Sequence, residues 1–313
     1  MNVIHLTYPE ALPKEERKET VAAIGFFDGI HKGHQRVINT ALEKAKQEGK
    51  ESAVVSFHPH PSVILKKNSE PVRYITTLEE KEAILREMGI DRLYIITFNE
   101  ALSKLSPQGF IDHFIVGLNI THLVAGFDYT FGHKGAGNME NITSMAKGRF
   151  TTTVVEKLEN GNEKVSSTRI RKLLNEGSVH EIFPLLGRYY EATGTVVTGD
   201  NRGGSRLGYP TANIDLPKDK YLPKQGVYAV KVKVDGNTYN GMANLGVVPT
   251  FVEGRTEPKL EVNIFDFAEN IYGKKVTVQF YKYIREEKKF SSVEEIVSQL
   301  KRDEVMIREF FAK

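Results

Sequence analysis

The chain contains no cysteine. Disulfides, thiolate metal sites and thiol nucleophiles are thereby excluded, and the composition suits a reducing compartment. No apolar run approaches the roughly 20 residues that a membrane helix needs. The opening MNVIHLTYPEALPKEERKE lacks the basic and then apolar pattern of a signal peptide. These features predict a cytoplasmic protein with no membrane partner. A strong charge of one sign is also lacking. The net charge is only +3 over 313 residues, which gives no basis for expecting nucleic acid or an anionic surface as partner. No G-x-x-x-x-G-K-[ST] phosphate loop and no dinucleotide fingerprint occurs. Internal repeats and low-complexity segments are missing as well.

What is present is organised in two textures. Up to about residue 185, four short continuous apolar runs stand out: VAAIGF (21–26), SAVVSF (52–57), RLYIITF (92–98) and THLVAGF (121–127). Strands buried on both faces read this way. Helical patterns separate them. Residues 33–48 place Val37, Ile38, Ala41, Leu42 and Ala45 on one stripe. A second helix runs from a Thr77 cap towards Gly89, and a third starts at Ser106 with Pro107 in its first turn. Strand–helix–strand alternation predicts a parallel sheet, with ligands beyond the carboxyl ends of its strands. From residue 187 alternating segments take over, with a hairpin turn at VDGN (234–237) and an amphipathic helix from Ser291. A sandwich or barrel is expected there. The expected fold is thus an α/β domain over 1–186 followed by a β domain over 187–313.

The first chemical signal is GFFDGIHKGHQ (25–35). Gly25, Gly29 and Gly33 permit a sharp turn directly after a buried strand. The helix that follows offers N–H groups and a positive dipole end to an anion. Phe26 and Asp28 lie on that turn. His31 and His34, three residues apart, share one side of the first helical turn and can donate to a phosphate whose charge is redistributing. A metal site from Asp28, His31 and His34 is the competing reading, although the spacing is not H-E-x-x-H and no further ligand stands nearby. A second signal is VSSTRIRKLL (165–174), which puts Ser167, Thr168 and Arg171 at a helix start. A third is GTVVTGDNRGGSRLGYPTANI (194–214). Gly199 and Arg206 belong to a glycine-rich basic loop suited to phosphates. Thr211 and Asn213, two apart, face one way in an extended segment and can hold magnesium with phosphate oxygens.

H-x-G-H after a first strand, followed later by S-S-T-x-x-R, resembles the nucleotidyltransferase superfamily. With SFHPHP (56–61) and AGFDYTFGHKGAG (125–137), the first half is similar to the flavin adenylyltransferase module of bacterial bifunctional riboflavin kinase/FAD synthetases. The second half resembles the riboflavin kinase signature, with L-G-[FY]-P-T-A-N, then NLGVVPTF (244–251) and LEVNIFDF (260–267).

The resemblance implies a nucleotidyltransferase-type parallel sheet and a kinase-type antiparallel barrel with a terminal helix. It implies two ATP-dependent steps with magnesium: riboflavin to FMN, then FMN to FAD with release of pyrophosphate. His31, His34 and Glu261 become the catalytic candidates. Gly25, Phe26, Asp28, Gly33, Ser167, Thr168, Arg171, Gly199, Arg206, Thr211 and Asn213 become nucleotide-binding candidates, with Thr211 and Asn213 also holding the metal. Phe57, Pro59, Asp128, Phe131 and Arg285 become flavin-binding candidates, while Phe57 and Phe131 serve equally well as core aromatics. The chain departs from the family pattern at His58, where Asp or Asn is usual, and in the loop HKGAG. That loop leaves open a chain acting as a kinase alone, or a first module that takes another phosphorylated substrate. A flavin-binding regulator without turnover has no use for His31, His34, Thr211, Asn213 and Glu261 together.

Overall fold

The computed structural model describes residues 1–65, 71–198, 208–249 and 256–313. The chain forms two compact units, Met1–Ser167 and Thr168–Lys313. In the first, β1 (Asn2–Leu6), β2 (Thr20–Ile24), β3 (Glu51–His58), β4 (Arg92–Thr97), β5 (Ile120–Gly126) and β6 (Thr151–Val155) form one sheet. Its order is β1-β4-β3-β2-β5-β6, and every pairing is parallel. All strand carboxyl ends therefore lie along one edge. The chain order switches sides at β2, between β3 and β5, which is where such sheets open a crevice.

Burial explains the continuous apolar runs. Val21, Ala23, Val54, Leu93, Ile95 and Val124 pack on one face with Val37, Ile38, Ala41 and Ala45 of α1 (Lys32–Glu48) and Leu85 of α2 (Leu78–Glu87). Ala22, Ile24, Val55, Ile96, Leu123 and Ala125 pack on the other with Phe110, Ile111, Phe114 and Ile115. Helix α1 ends at Gly49, whose φ of 65° is the left-handed cap. Helix α2 begins in a reciprocal box between Thr77 and Glu80. The third expected helix starts as an α-turn at Pro107–Phe110 and continues as a π-helix over Ile111–Val116. Its register is closed by Gly117, whose N–H donates to the Asp112 carbonyl at 3.0 Å.

The second unit begins with α3 (Ser167–Glu176), whose first residue belongs to the unit before. Residues 168–186 pack with the barrel: the Lys224 N–H donates to the Leu174 carbonyl at 2.8 Å. Strands β7 (Tyr190–Val197), β8 (Ala212–Asp215), β9 (Gly226–Val234), β10 (Asn237–Pro249), β11 (Thr256–Ile264) and β12 (Lys275–Arg285) close a barrel in the order β7-β8-β11-β10-β9-β12. All its pairings are antiparallel. The VDGN turn has φ of 50° at Asp235 and 81° at Gly236, as a two-residue hairpin of matching twist requires. Alternation holds in β7 and β12 but fails in β9, where Gly226–Val230 are buried throughout. The reason is α4 (Val293–Ala312), whose Ile307 covers Val227 and Ala229 from outside the barrel.

Gly194 marks the tightest strand crossing. A Cβ there would meet the Asp215 carbonyl oxygen at 2.3 Å and Ile214 Cγ2 at 2.8 Å, and the carbonyl, held in the strand, cannot yield as a flexible side chain would. Gly194→Ala is expected to destabilise the barrel by about 1–3 kcal/mol, read as a lower urea midpoint of the barrel's tyrosine signal, and to leave the parallel sheet's transition unchanged.

Candidate functional site

At the carboxyl end of β2 the Gly25 N–H donates to the Val55 carbonyl at 3.1 Å, and the chain then turns. Phe27, Gly29 and Ile30 take positive φ values of 50°, 88° and 38°. Only the middle one is glycine, so the turn is held by its surroundings. Asp28 is buried; its Oδ1 accepts from the Thr76 N–H at 3.2 Å, and its carbonyl accepts from Ser167 Oγ at 2.8 Å. Helix α1 starts at His31, whose Nδ1 accepts from the His34 N–H at 3.1 Å. That bond fixes the tautomer: in the neutral ring the proton sits on Nε2. The two imidazoles stack, with centroids 3.6 Å apart. Gly33 leaves room for this, since a Cβ there would meet the His31 ring at 3.1 Å.

His34 Nδ1 is buried without a hydrogen-bond partner. Burial holds the His34 ring well below the usual histidine range, and the charges of His31, Lys81 and Lys164 push the same way. At neutral pH it is an uncharged imidazole. Asp28 does not complete a metal centre with it. No group of three His, Cys, Asp or Glu side chains able to hold a metal occurs among the described residues.

The remaining candidates of this unit divide between the edge and the core. His58 is the last residue of β3, and the cis-bonded Pro59 follows it directly. Phe26, His58, His60 and Tyr74 form an aromatic cluster there, Phe26 meeting His60 edge-on at 4.6 Å. Asp128 follows β5, exposed, and pairs with Lys164 at 2.6 Å. Phe131 is buried against Phe110, and Phe57 packs at the rim of the same cluster. Thr168 and Arg171 lie on α3, where the Arg171 guanidinium sits 5.6 Å from the Tyr221 ring centre.

In the barrel, Glu261 of β11 is register partner to Asn213 of β8 and to Asn244 of β10. Directly opposed residues project to the same side of a sheet, so the carboxylate stands in one row with two amides. Asn213 Oδ1 is buried and has no partner. Lys259 pairs with Glu261 Oε1 at 2.7 Å. A cavity of about 290 Å³ is lined by Thr211, Asn244, Glu261, Asn263 and Arg285, with Phe290 and Leu300 on its apolar side. Thr211, Glu261 and Arg285 are thus brought to one cavity, whereas Asn213 lies beside it as the register partner of Glu261 and does not line it. Gly199 and Arg206 lie outside the described residues.

Several residues of these sites carry no motif. Lys81 sits behind the β2 turn, and its signal was a lysine on the buried stripe of α2, four residues before Leu85. Asp303, 1% exposed, holds Arg285 through bonds of 2.8–3.2 Å and also accepts from Gln299. It too lies on a buried stripe, between Leu300 and Ile307. Glu287 accepts from Asn244 Nδ2 at 3.1 Å and owes its place to Gly246.

Phosphate transfer at two separate centres is the class of chemistry these geometries fit. Residues 13–169 match the family model of FAD synthetase, and residues 186–311 that of riboflavin kinase. Curated relatives named bifunctional riboflavin kinase/FMN adenylyltransferase include those of Bacillus subtilis and Listeria monocytogenes. Each is 44% identical over 313 residues, covering 100% of this chain and 99% of the relative. The Escherichia coli relative of the same name is 33% identical over 96% of this chain and 95% of its own. A crystal structure described as a macrolide-efflux protein from Streptococcus pneumoniae superposes with a TM-score of 0.87 at 35% identity, over 97% of this chain and 99% of the other. No helix among the described residues of the present chain is long and apolar enough to cross a membrane. The chain belongs to the bifunctional riboflavin kinase/FMN adenylyltransferase family.

The Arg285–Asp303 pair ties the cavity wall to α4. Removing one partner strands the other's charge, at a cost of about 3–5 kcal/mol. Asp303→Ala is therefore expected to lower barrel stability by about that amount in chemical denaturation, and Asp303→Leu with Arg285→Met to recover most of it.

Proposed function

We propose that the chain makes FAD from riboflavin in two ATP-dependent steps, one per domain, with 1–186 and 187–313 as the functional partition. The observation that carries this is a matched pair of orphans. Among the described residues only five buried side-chain atoms lack a partner, and His34 Nδ1 and Asn213 Oδ1 are two of them. One falls in each motif-bearing site, and a buried polar atom with no partner in its own chain is one that a ligand can satisfy.

In the barrel, Glu261 accepts the proton of the ribityl 5′-hydroxyl, a poor nucleophile until it is relieved of that proton. The oxygen bonds to the γ-phosphorus of ATP, the bond from that phosphorus to the bridging oxygen breaks, and ADP leaves. Oxygen donors are what a magnesium ion needs, and the Thr211 hydroxyl with the orphan Asn213 oxygen provides them. Bound there, magnesium neutralises charge on the phosphoryl group in transfer. Arg285, locked in orientation by Asp303, faces the flavin. Gly199 and Arg206 are assigned to the nucleotide phosphates.

In the parallel domain, an oxygen of the FMN phosphate attacks the α-phosphorus of ATP. A phosphoanhydride bond forms, the bond to the β,γ unit breaks, and pyrophosphate leaves. The nucleophile is already anionic, so no base is required, and rate comes from positioning and charge stabilisation. His31, donating through Nε2, and His34 act on the α-phosphate. Gly25, Phe26, Asp28 and Gly33 shape the nucleotide pocket. Ser167, Thr168 and Arg171 hold ATP phosphates, and Phe57, Pro59, Asp128 and Phe131 the flavin. The cytoplasm, where ATP and free riboflavin meet under reducing conditions, is the proposed location.

The test is a time course of flavins from purified protein with riboflavin, ATP and magnesium. FMN is expected first and FAD after it. His31→Ala with His34→Ala is expected to abolish FAD formation from supplied FMN and to spare phosphorylation. Glu261→Gln is expected to slow phosphorylation by about 10²–10⁴-fold and to spare FAD formation from FMN. Loss of both activities in either folded variant contradicts two independent sites.

A further inference from the structure

Lys81 is a charged residue in an apolar place. It lies on the buried stripe of α2 and is 4% exposed. Its ammonium donates to the Phe26 carbonyl at 2.8 Å and to Ser56 Oγ at 3.0 Å. Ser56 Oγ itself donates to the same Phe26 carbonyl at 3.1 Å. That carbonyl therefore accepts twice, which fixes the peptide plane leading into Phe27. Phe27 is the first left-handed residue of the turn, and a bulky side chain holds such a conformation only when its neighbours enforce it. The Lys81 ammonium also lies 5.0 Å from the centre of the Phe26 ring. It thus grips both the backbone and the side chain of the residue that opens the turn towards His31 and His34.

The second observation is electrostatic. Burial pushes the Lys81 ammonium down to about 8, and the Asp28 carboxylate opposes this. It stays charged at neutral pH. Its charge is one of three that disfavour a proton on His34, with His31 from the same turn and Lys164 from the segment before α3. Lys164 has its own pair with Asp128, and the charge of Lys81 is opposed by the buried Asp28.

We propose that Lys81 is a positioning residue for adenylyl transfer, holding the Phe26–Ile30 turn in its left-handed course and so fixing the start of the helix that carries His31 and His34. This rests on the reading of the first domain as the FMN adenylyltransferase. Lys81 touches no reacting atom; it acts through the turn and through His34.

The test uses the full chain with Lys81→Met, which removes charge and donors, and Lys81→Gln, which keeps donors without charge. An unchanged urea transition of the parallel sheet reports that the first unit is folded, and riboflavin phosphorylation by the same molecules is expected to stay within about twofold of the parent. For FAD formation from FMN, kcat is expected to fall about tenfold or more, with both KM values within roughly threefold, as misplacement without loss of a substrate contact predicts. Lys81→Gln recovers part of kcat. Loss of a neighbouring positive charge raises the His34 pKa, so the acid-side limb of the pH–rate profile and the NMR titration of the His34 ring move to higher pH in both variants. A kcat for FAD formation equal to the parent's in both folded variants, or loss of the two activities in parallel, overturns the proposal. Where the Lys81 variants do not fold, Ser56→Ala keeps the charge and loosens the grip; lower kcat with an unmoved His34 titration is expected, and kcat equal to the parent's overturns the positioning role. If the parent chain makes no FAD from FMN, the functional reading fails, and amide exchange at Phe27–Ile30, expected to be faster in Lys81→Met and overturning the hold on the turn if unchanged, then decides Lys81's role independently.

Discussion

A sheet buried on both faces can carry polar side chains only at its ends. In the first unit the alternating residues of β2, Val21 and Ala23 against Ala22 and Ile24, supply two separate cores. No chemistry fits between them. Parallel pairing then sends every strand's carboxyl end to the same edge, and each connection must carry the chain back across the sheet before the next strand begins. The polar groups that follow β2, β3 and β5 are gathered along one rim because the interior rejects them. Asp28, His58 and Asp128 all stand there.

That constraint also sets the cost of the site. The turn after β2 places Phe27 and Ile30 at positive φ and buries Asp28 and Lys81. Each is unfavourable alone. They persist because Thr76, Ser167, Ser56 and Lys81 hold the turn from several directions. His31 and His34 come at the end of this turn, so their stacking inherits its rigidity. The barrel solves the same problem differently. An antiparallel strand faces solvent or ligand on one side, so Glu261 needs no strained turn; register alone aligns it with Asn213 and Asn244. The terminal helix closes the outer face and orients Arg285 through Asp303.

Much of this was legible in the chain. The four central strands were visible because strands buried on both faces are continuously apolar. The edge strands β1 and β6 were not, since each is half exposed: NVIHL and TTTVV show no such run. The helix from Ser106 was expected where it starts, but its passage into a π-helix depends on Gly117 lying against the preceding turn. In the barrel, the alternation of β7 and β12 was readable, and the uniform burial at the start of β9 was not, because the covering residues come from a helix some seventy positions later.

By itself the sequence determined the division into an α/β part and a β part, the H-x-G-H and P-T-A-N motifs, and the membership of one enzyme family that follows from their order. These are local patterns, and local patterns survive in a linear text. Only the tertiary structure decided that Lys81 lies beneath the first turn, that Asp303 holds Arg285, and that Glu261 stands between two amides. Each of those joins residues 17 to 55 positions apart. A buried charge and a strand register are settled by what packs against them, and no spacing along the chain records that.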